Sequence, residues 1–213
     1  MKNTKIAIIG TGNVGKALGL RLANLDHKIL YGTRDPSSRK MLDILQQSAG
    51  NAEAVAIPEA VKKADVVILA VPWEKAQGII KSVADWEGKI LVDCTNALNA
   101  DLSGLTIGPA TSAAEEMAGW AKGAAVVKAF NSVGTQIMAN PQFGTDKAVL
   151  FICGNDTGAK RIVKAMSETL GFDVQDAGEL KAARYLEQMA MFWIHLAIRQ
   201  KMGSDFAFKL LRR

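Results

Sequence analysis

Residues 5–15 read KIAIIGTGNVG, an apolar run that breaks into a glycine-rich turn. The run Ile6–Ile9 is continuous and mostly β-branched, as in a strand buried on both faces of a parallel sheet. The turn Gly10-Thr11-Gly12-Asn13-Val14-Gly15 is a complete GxGxxG. Three glycines at that spacing also arise by chance, and the strand before and helix after give them meaning. The helix is visible in Val14, Leu18, Leu22 and Leu25, which recur at helical spacing. Gly10 then permits a tight turn, Gly12 admits a pyrophosphate to the backbone, and Gly15 lets the helix pack closely on the strand. The first helical turn offers unpaired N–H groups and a partial positive charge. A dinucleotide held by Gly10–Gly15 is the expectation; the alternative is a structural turn without a ligand.

Outward from that stretch the alternation continues. Apolar runs at 28–32, 65–72, 89–95, 124–131 and 148–154 read as further strands, with helices expected over 38–48, 58–63, 74–85 and 157–170. This predicts an α/β fold, a doubly wound, mostly parallel sheet over residues 1–178. The section 97–123 is irregular and Ala/Gly-rich, with TSAAEEMAGW as its helix. After Gly178 the alternation stops, and 179–213 reads as an apolar helical tail packing on the sheet or on a dimer partner.

The second strand ends Leu30-Tyr31-Gly32, where an NAD-binding chain should end in Asp or Glu. Here YGTRDPSSRK (31–40) follows instead. Thr33 and Arg34 suit a phosphate, Arg34 through its planar set of donors, and Ser37, Ser38, Arg39 and Lys40 lie on the same loop. The expected cofactor is therefore NADP(H), against a plain solvated basic loop. Asp35, before Pro36, reads as a turn residue facing water. At later strand ends, Val71, Pro72 and Trp73 are expected to bound the nicotinamide ribose, with Thr95 and Asn96 on its amide side. Trp73 reads equally as a lid over the core, and Asn96 as a turn residue.

With IGTGNVGKALGLRLA, GTR, ADVVILAVPWEKA, SAAEEMA, VVKAFN and DAGELKAARYLE in place, the chain resembles the NADPH-dependent F420 reductase family. These oxidoreductases pass hydride between NADP(H) and the deazaflavin coenzyme F420. VVKAFN also looks like the oxidoreductase domains of the transmembrane ferric reductases, which use NADPH and a flavin. The resemblance implies that Thr11, Thr33 and Arg34 hold the ribose phosphate. It further implies that Trp73, Asn96 and the strand end Ala129–Val133, with Ala129 and Asn131 in it, face the nicotinamide and the incoming ring. Asn131 stands where archaeal members carry a His-containing segment, and their basic residue shortly after the Arg is not matched in register. The acceptor thus stays open between deazaflavin and flavin.

Hydride transfer between flat rings needs stacking and exclusion of water rather than an acid, base or nucleophile. No catalytic side chain and no metal site is therefore assigned. His195 is expected as a hydrogen-bonded core or interface residue, and Lys128 as pairing with an acid, capping a sheet edge, or standing beside an anionic acceptor. Met189, Met191, Phe192 and Trp193 form an apolar face expected to pack on the sheet or build a homodimer. The net charge of +5 is scattered, without the basic arm that nucleic acid calls for. Two cysteines and no leader-type segment suggest a cytoplasmic protein without a membrane part. Two further readings stay open: reduction of a small imine or carbonyl compound, and a non-catalytic NADP(H)-binding sensor.

Overall fold

The computed structural model describes residues 4–213. Its core is one eight-stranded sheet in the order β10-β9-β6-β5-β4-β1-β2-β3. Strands β1 (Lys5–Ile9), β2 (Lys28–Gly32), β3 (Ala52–Val55), β4 (Val66–Leu69), β5 (Ile90–Asp93) and β6 (Ala125–Lys128) run parallel. β9 (Val149–Gly154) joins β6 antiparallel, and β10 (Asp173–Asp176) joins β9 parallel. The order reverses between β1 and β4, the place where a doubly wound sheet opens a ligand crevice.

Each central strand serves two cores. Ile6 and Ile8 of β1 face one layer with α1 (Asn13–Ala23), α2 (Arg39–Gln46) and α7 (Thr157–Thr169). Ala7 and Ile9 face the other, with α3 (Ile57–Lys63), α4 (Trp73–Lys81), α5 (Ala113–Trp120) and α8 (Ala183–Ile194). With both faces buried, these strands carry unbroken apolar runs rather than alternating ones.

The expected helices fall within a few residues of the observed ones. Strands β3 and β10 were not legible, because AEAV and DVQD are edge strands with one ladder neighbour and no apolar run. The five-residue α6 (Thr135–Ala139) and the hairpin β7 (Gln142–Phe143) and β8 (Asp146–Lys147) are too short for a periodic signal.

The tail needs correction. Helix α8 runs into a π-helical turn at His195–Arg199, and 200–213 forms no regular element. That last segment folds back along α8. Phe206 stacks on Trp193 with ring centroids 5.2 Å apart, and Phe208 stacks on Phe192 at 6.1 Å. His195 is exposed at the end of α8, where its Nε2 lies 3.2 Å from Gln200 Nε2, so it is not a core residue. No helix of the described chain is long and apolar enough to cross a membrane.

Candidate functional site

A cleft of about 460 Å³ opens at the reversal of strand order. Gly10 and Thr11 reach it from the end of β1, Thr33 and Arg34 from the end of β2, and Val71 and Pro72 from the end of β4. The glycine turn is built for this place. Gly10 has φ +101, and a Cβ there would land on the Ala70 carbonyl of the neighbouring strand end. A Cβ on Gly15 would strike the Gly10 carbonyl, so the helix can sit this close only without one. Above Gly12, the residue before α1, the space is open to at least 4 Å, which leaves the backbone accessible to an anion. Asn13 is exposed and Val14 half-buried in the first turn of α1.

The loop after β2 separates its residues. Arg34 is exposed and has no hydrogen bond or ion pair among the described residues. The hydroxyls of Ser37 and Ser38 behave otherwise. Ser37 donates through its N–H (3.2 Å) and Oγ (2.9 Å) to Asp35 Oδ1, and Ser38 Oγ donates to the Asp35 carbonyl at 2.9 Å. Asp35 is thus the exposed turn residue expected of it. Ser37 and Ser38, expected as additional phosphate donors, do not line the cleft, and their hydroxyl protons are used within the turn.

Sequence reading missed part of the wall: Ile57 at the start of α3, and Glu74, Lys75, Gly78 and Ile79 on α4. A signal existed, since 74, 75, 78 and 79 share one helical face directly after a strand end. Trp73 does not line this cleft. It stacks on Trp120 of α5 with centroids 5.2 Å apart and an interplanar angle of 26°, half-buried against the core. That is the lid arrangement.

The ends of β5 and β6 form a second cluster. Asn96 Nδ2 donates to the Asn131 carbonyl at 2.8 Å, and Asn131 Nδ2 donates to Asn96 Oδ1 (3.1 Å) and the Leu186 carbonyl (2.9 Å). A backbone carbonyl only accepts, so both side-chain amides have a determined orientation. Asn131 Oδ1 is therefore a real acceptor, buried and without a partner; Thr95 Oγ1 is in the same condition. Buried polar atoms without partners are costly and call for an explanation. Ala129 is wholly buried and its N–H bonds the Asp93 carbonyl at 3.0 Å, so it has no exposed side chain for a ligand to touch. Phe130 next to it has φ +63, unusual for a bulky residue.

Beneath this cluster Lys128 is fully buried between two acids. Its ammonium donates to Asp93 Oδ2 (2.8 Å), Glu187 Oε1 (2.7 Å) and the Thr95 carbonyl (2.7 Å). Burial opposes the charge, but Asp93 and Glu187 outweigh it and hold the ammonium above the usual lysine value. Of the three sequence readings for Lys128, pairing with acids is the one observed. Glu187 also accepts from Ala113 N (3.0 Å) and Ala114 N (3.3 Å), capping α5. A lone acid inside the apolar stretch ARYLEQMAMFW was the available signal. Glu187 further borders a second cleft of about 590 Å³ between the 105–111 loop and the start of α8.

Residues 5–97 match the family model described as NADP oxidoreductase coenzyme F420-dependent. The F420-dependent NADP reductase of Methanocaldococcus jannaschii is 32% identical over 92% of this chain and 94% of its own. The metalloreductase STEAP3 of Rattus norvegicus is 30% identical over 88% of this chain, which spans only 36% of it. Among solved structures, an Arthrobacter sp. FB24 protein given as an F420-dependent NADP reductase superposes with a TM-score of 0.87, at 28% identity, covering 97% of this chain and 99% of its own. A reductive aminase from Aspergillus terreus shares the fold at TM-score 0.68 and 18% identity. A relative 32% identical and matched almost end to end decides the matter: this chain belongs to the family of F420-dependent NADP oxidoreductases.

Proposed function

We propose that this protein transfers hydride between NADP(H) and the deazaflavin coenzyme F420. The observation that carries the reading is the cleft at the β1/β4 reversal. There Thr33 and Arg34 replace the usual acid and share one wall system with the glycine turn. The residues fit the dinucleotide. The backbone from Gly10 to Gly15 would hold the pyrophosphate, with open space over Gly12. Arg34 and Thr33 would hold the 2′-phosphate, while Ile57, Gly78 and Ile79 offer an apolar wall to a flat base. NADPH, when bound, supplies the hydride.

The chain's own task is orientation and exclusion of water. Asn96 and Asn131 brace each other at the ends of β5 and β6. Asn131 also ties this brace to α8 through the Leu186 carbonyl, which fixes the strand ends in one geometry. Rapid mixing with NADPH and purified F420, then with flavin mononucleotide, tests this. Oxidation of NADPH by F420 is the expected result; turnover with the flavin alone would reassign the acceptor, and binding without turnover would remove the activity.

We further propose a homodimer. Phe192 is 54% exposed and Ile198 52%, even with the folded-back segment in place. Sedimentation velocity decides it, a monomer at all concentrations being the contrary result.

A further inference from the structure

We infer that Trp193 and the segment Ser204–Phe208 form a strap that positions the turn Phe130–Gly134, and through it the Asn131 amide. The turn needs such a hold. Phe130 sits at φ +63, a conformation that costs about 1–3 kcal/mol and persists only where the surroundings enforce it. Asn131 is tied to α8 through the Leu186 carbonyl. At the far end of the turn, Gly134 has φ −69 and ψ 159, which any residue adopts, so its backbone does not require glycine. Its neighbours do. A Cβ there would lie 3.0 Å from the Ser204 carbonyl oxygen and 3.0 and 3.2 Å from two carbons of the Trp193 ring.

The strap is itself secured. Trp193 Nε1 donates to the Phe206 carbonyl at 3.2 Å, and the two rings stack with an interplanar angle of 19°. Val149 N donates to the Phe208 carbonyl at 3.0 Å, which fastens the segment to the start of β9. Ala207 packs on the core, and Lys209 pairs with Asp146. A stretch without regular structure is thus anchored to α8, β9 and the core while it presses on the turn. Among the described residues no hydrogen bond joins the segment to the glycine turn or to Arg34, so its hold falls on the Asn131 turn. Trp193 is accordingly a positioning residue.

The test uses Gly134→Ala, Trp193→Phe and the double variant, read by hydrogen exchange, NADPH titration and single-turnover hydride transfer. The transfer readout rests on the F420 reading above; the exchange readout does not. In Gly134→Ala, we expect the amides of Ala129 and Met138, which donate to the Asp93 and Gly134 carbonyls at 3.0 Å each and flank the turn, to exchange at least about tenfold faster. Transfer falls by about 3- to 10-fold, as for a shift of a few tenths of an ångström, while the Kd for NADPH stays within about twofold. Trp193→Phe, which loses the Nε1 donor to the Phe206 carbonyl, should show the same changes, and the double variant should be little worse than either single one because both act on one strap–turn contact. Unchanged exchange in Gly134→Ala, or NADPH affinity falling in step with transfer, overturns the inference. If the wild type proves inactive with F420 and flavin, the function fails while exchange still decides the strap. Should Gly134→Ala not fold, Phe206→Leu replaces it, with faster exchange at the same amides expected and none as the refutation.

Discussion

Replacing Arg34 by alanine isolates the phosphate assignment, because the guanidinium has no partner among the described residues and its loss should leave the fold alone. A hydrogen bond to a charged group is worth about 1.5–3 kcal/mol. Solvent reaches this rim, and Lys75 on the same cleft adds a second positive charge beside the opposing Glu74, so the lower half of that range applies. The Kd for NADPH should rise about 10- to 40-fold, since each 1.4 kcal/mol is a factor of ten. The Kd for NADH should stay within about twofold, because the unphosphorylated ribose offers nothing for the lost charge to hold. Calorimetric titration of wild type and Arg34→Ala with both cofactors, at low and high salt, measures this. Salt should narrow the NADPH difference between wild type and variant and leave the small NADH difference unchanged. Equal losses for the two cofactors, or none for NADPH, would refute the 2′-phosphate site.

Lys128→Met strands two buried carboxylates, a change that costs about 3–5 kcal/mol; by calorimetry the melting temperature should fall by about 6–20 °C. Because the Lys128 value is raised, its contribution is complete below the ordinary lysine value of 10.5 and is lost only as pH climbs through the higher folded one. On the alkaline side the gap between wild type and variant should therefore close only in strong alkali. Gly10→Ala puts a side chain at φ +101 against the Ala70 carbonyl. The backbone alone costs about 1–2 kcal/mol, and NADPH titration should show binding lost, tight binding at an unchanged melting temperature being the contrary outcome. Arg184 donates to both Glu115 oxygens, at 2.9 and 2.7 Å, and these bonds hold the Glu115 carboxyl below its usual 4.5. That stability is present above 4.5 and disappears as pH falls through the lower folded value, so Arg184→Gln should flatten the acid limb of urea midpoints.

Local chemistry was written plainly along the chain. Ile6–Gly15 announced strand, turn and helix because a strand buried on both sides must be apolar throughout and its turn must be glycine where backbones touch. The missing acid after Tyr31 was equally direct, since it depends on which residue ends one strand. The edge strands β3 and β10 were silent because one exposed side removes the demand for apolar residues. Ser37 and Ser38 misled for a related reason. Composition offers hydroxyls near a phosphate, but only the folded loop shows them turned to Asp35.

From the amino acids alone came the doubly wound sheet, the dinucleotide turn and the preference for a phosphorylated ribose, all products of short-range pattern. Tertiary structure alone decided that Lys128 meets Asp93 and Glu187, that Asn96 braces Asn131, and that Trp193 presses on Gly134. Those partners lie 35 to 59 residues apart. No periodicity records a pairing at that separation, because it is set by which strands become neighbours and which helix closes over them.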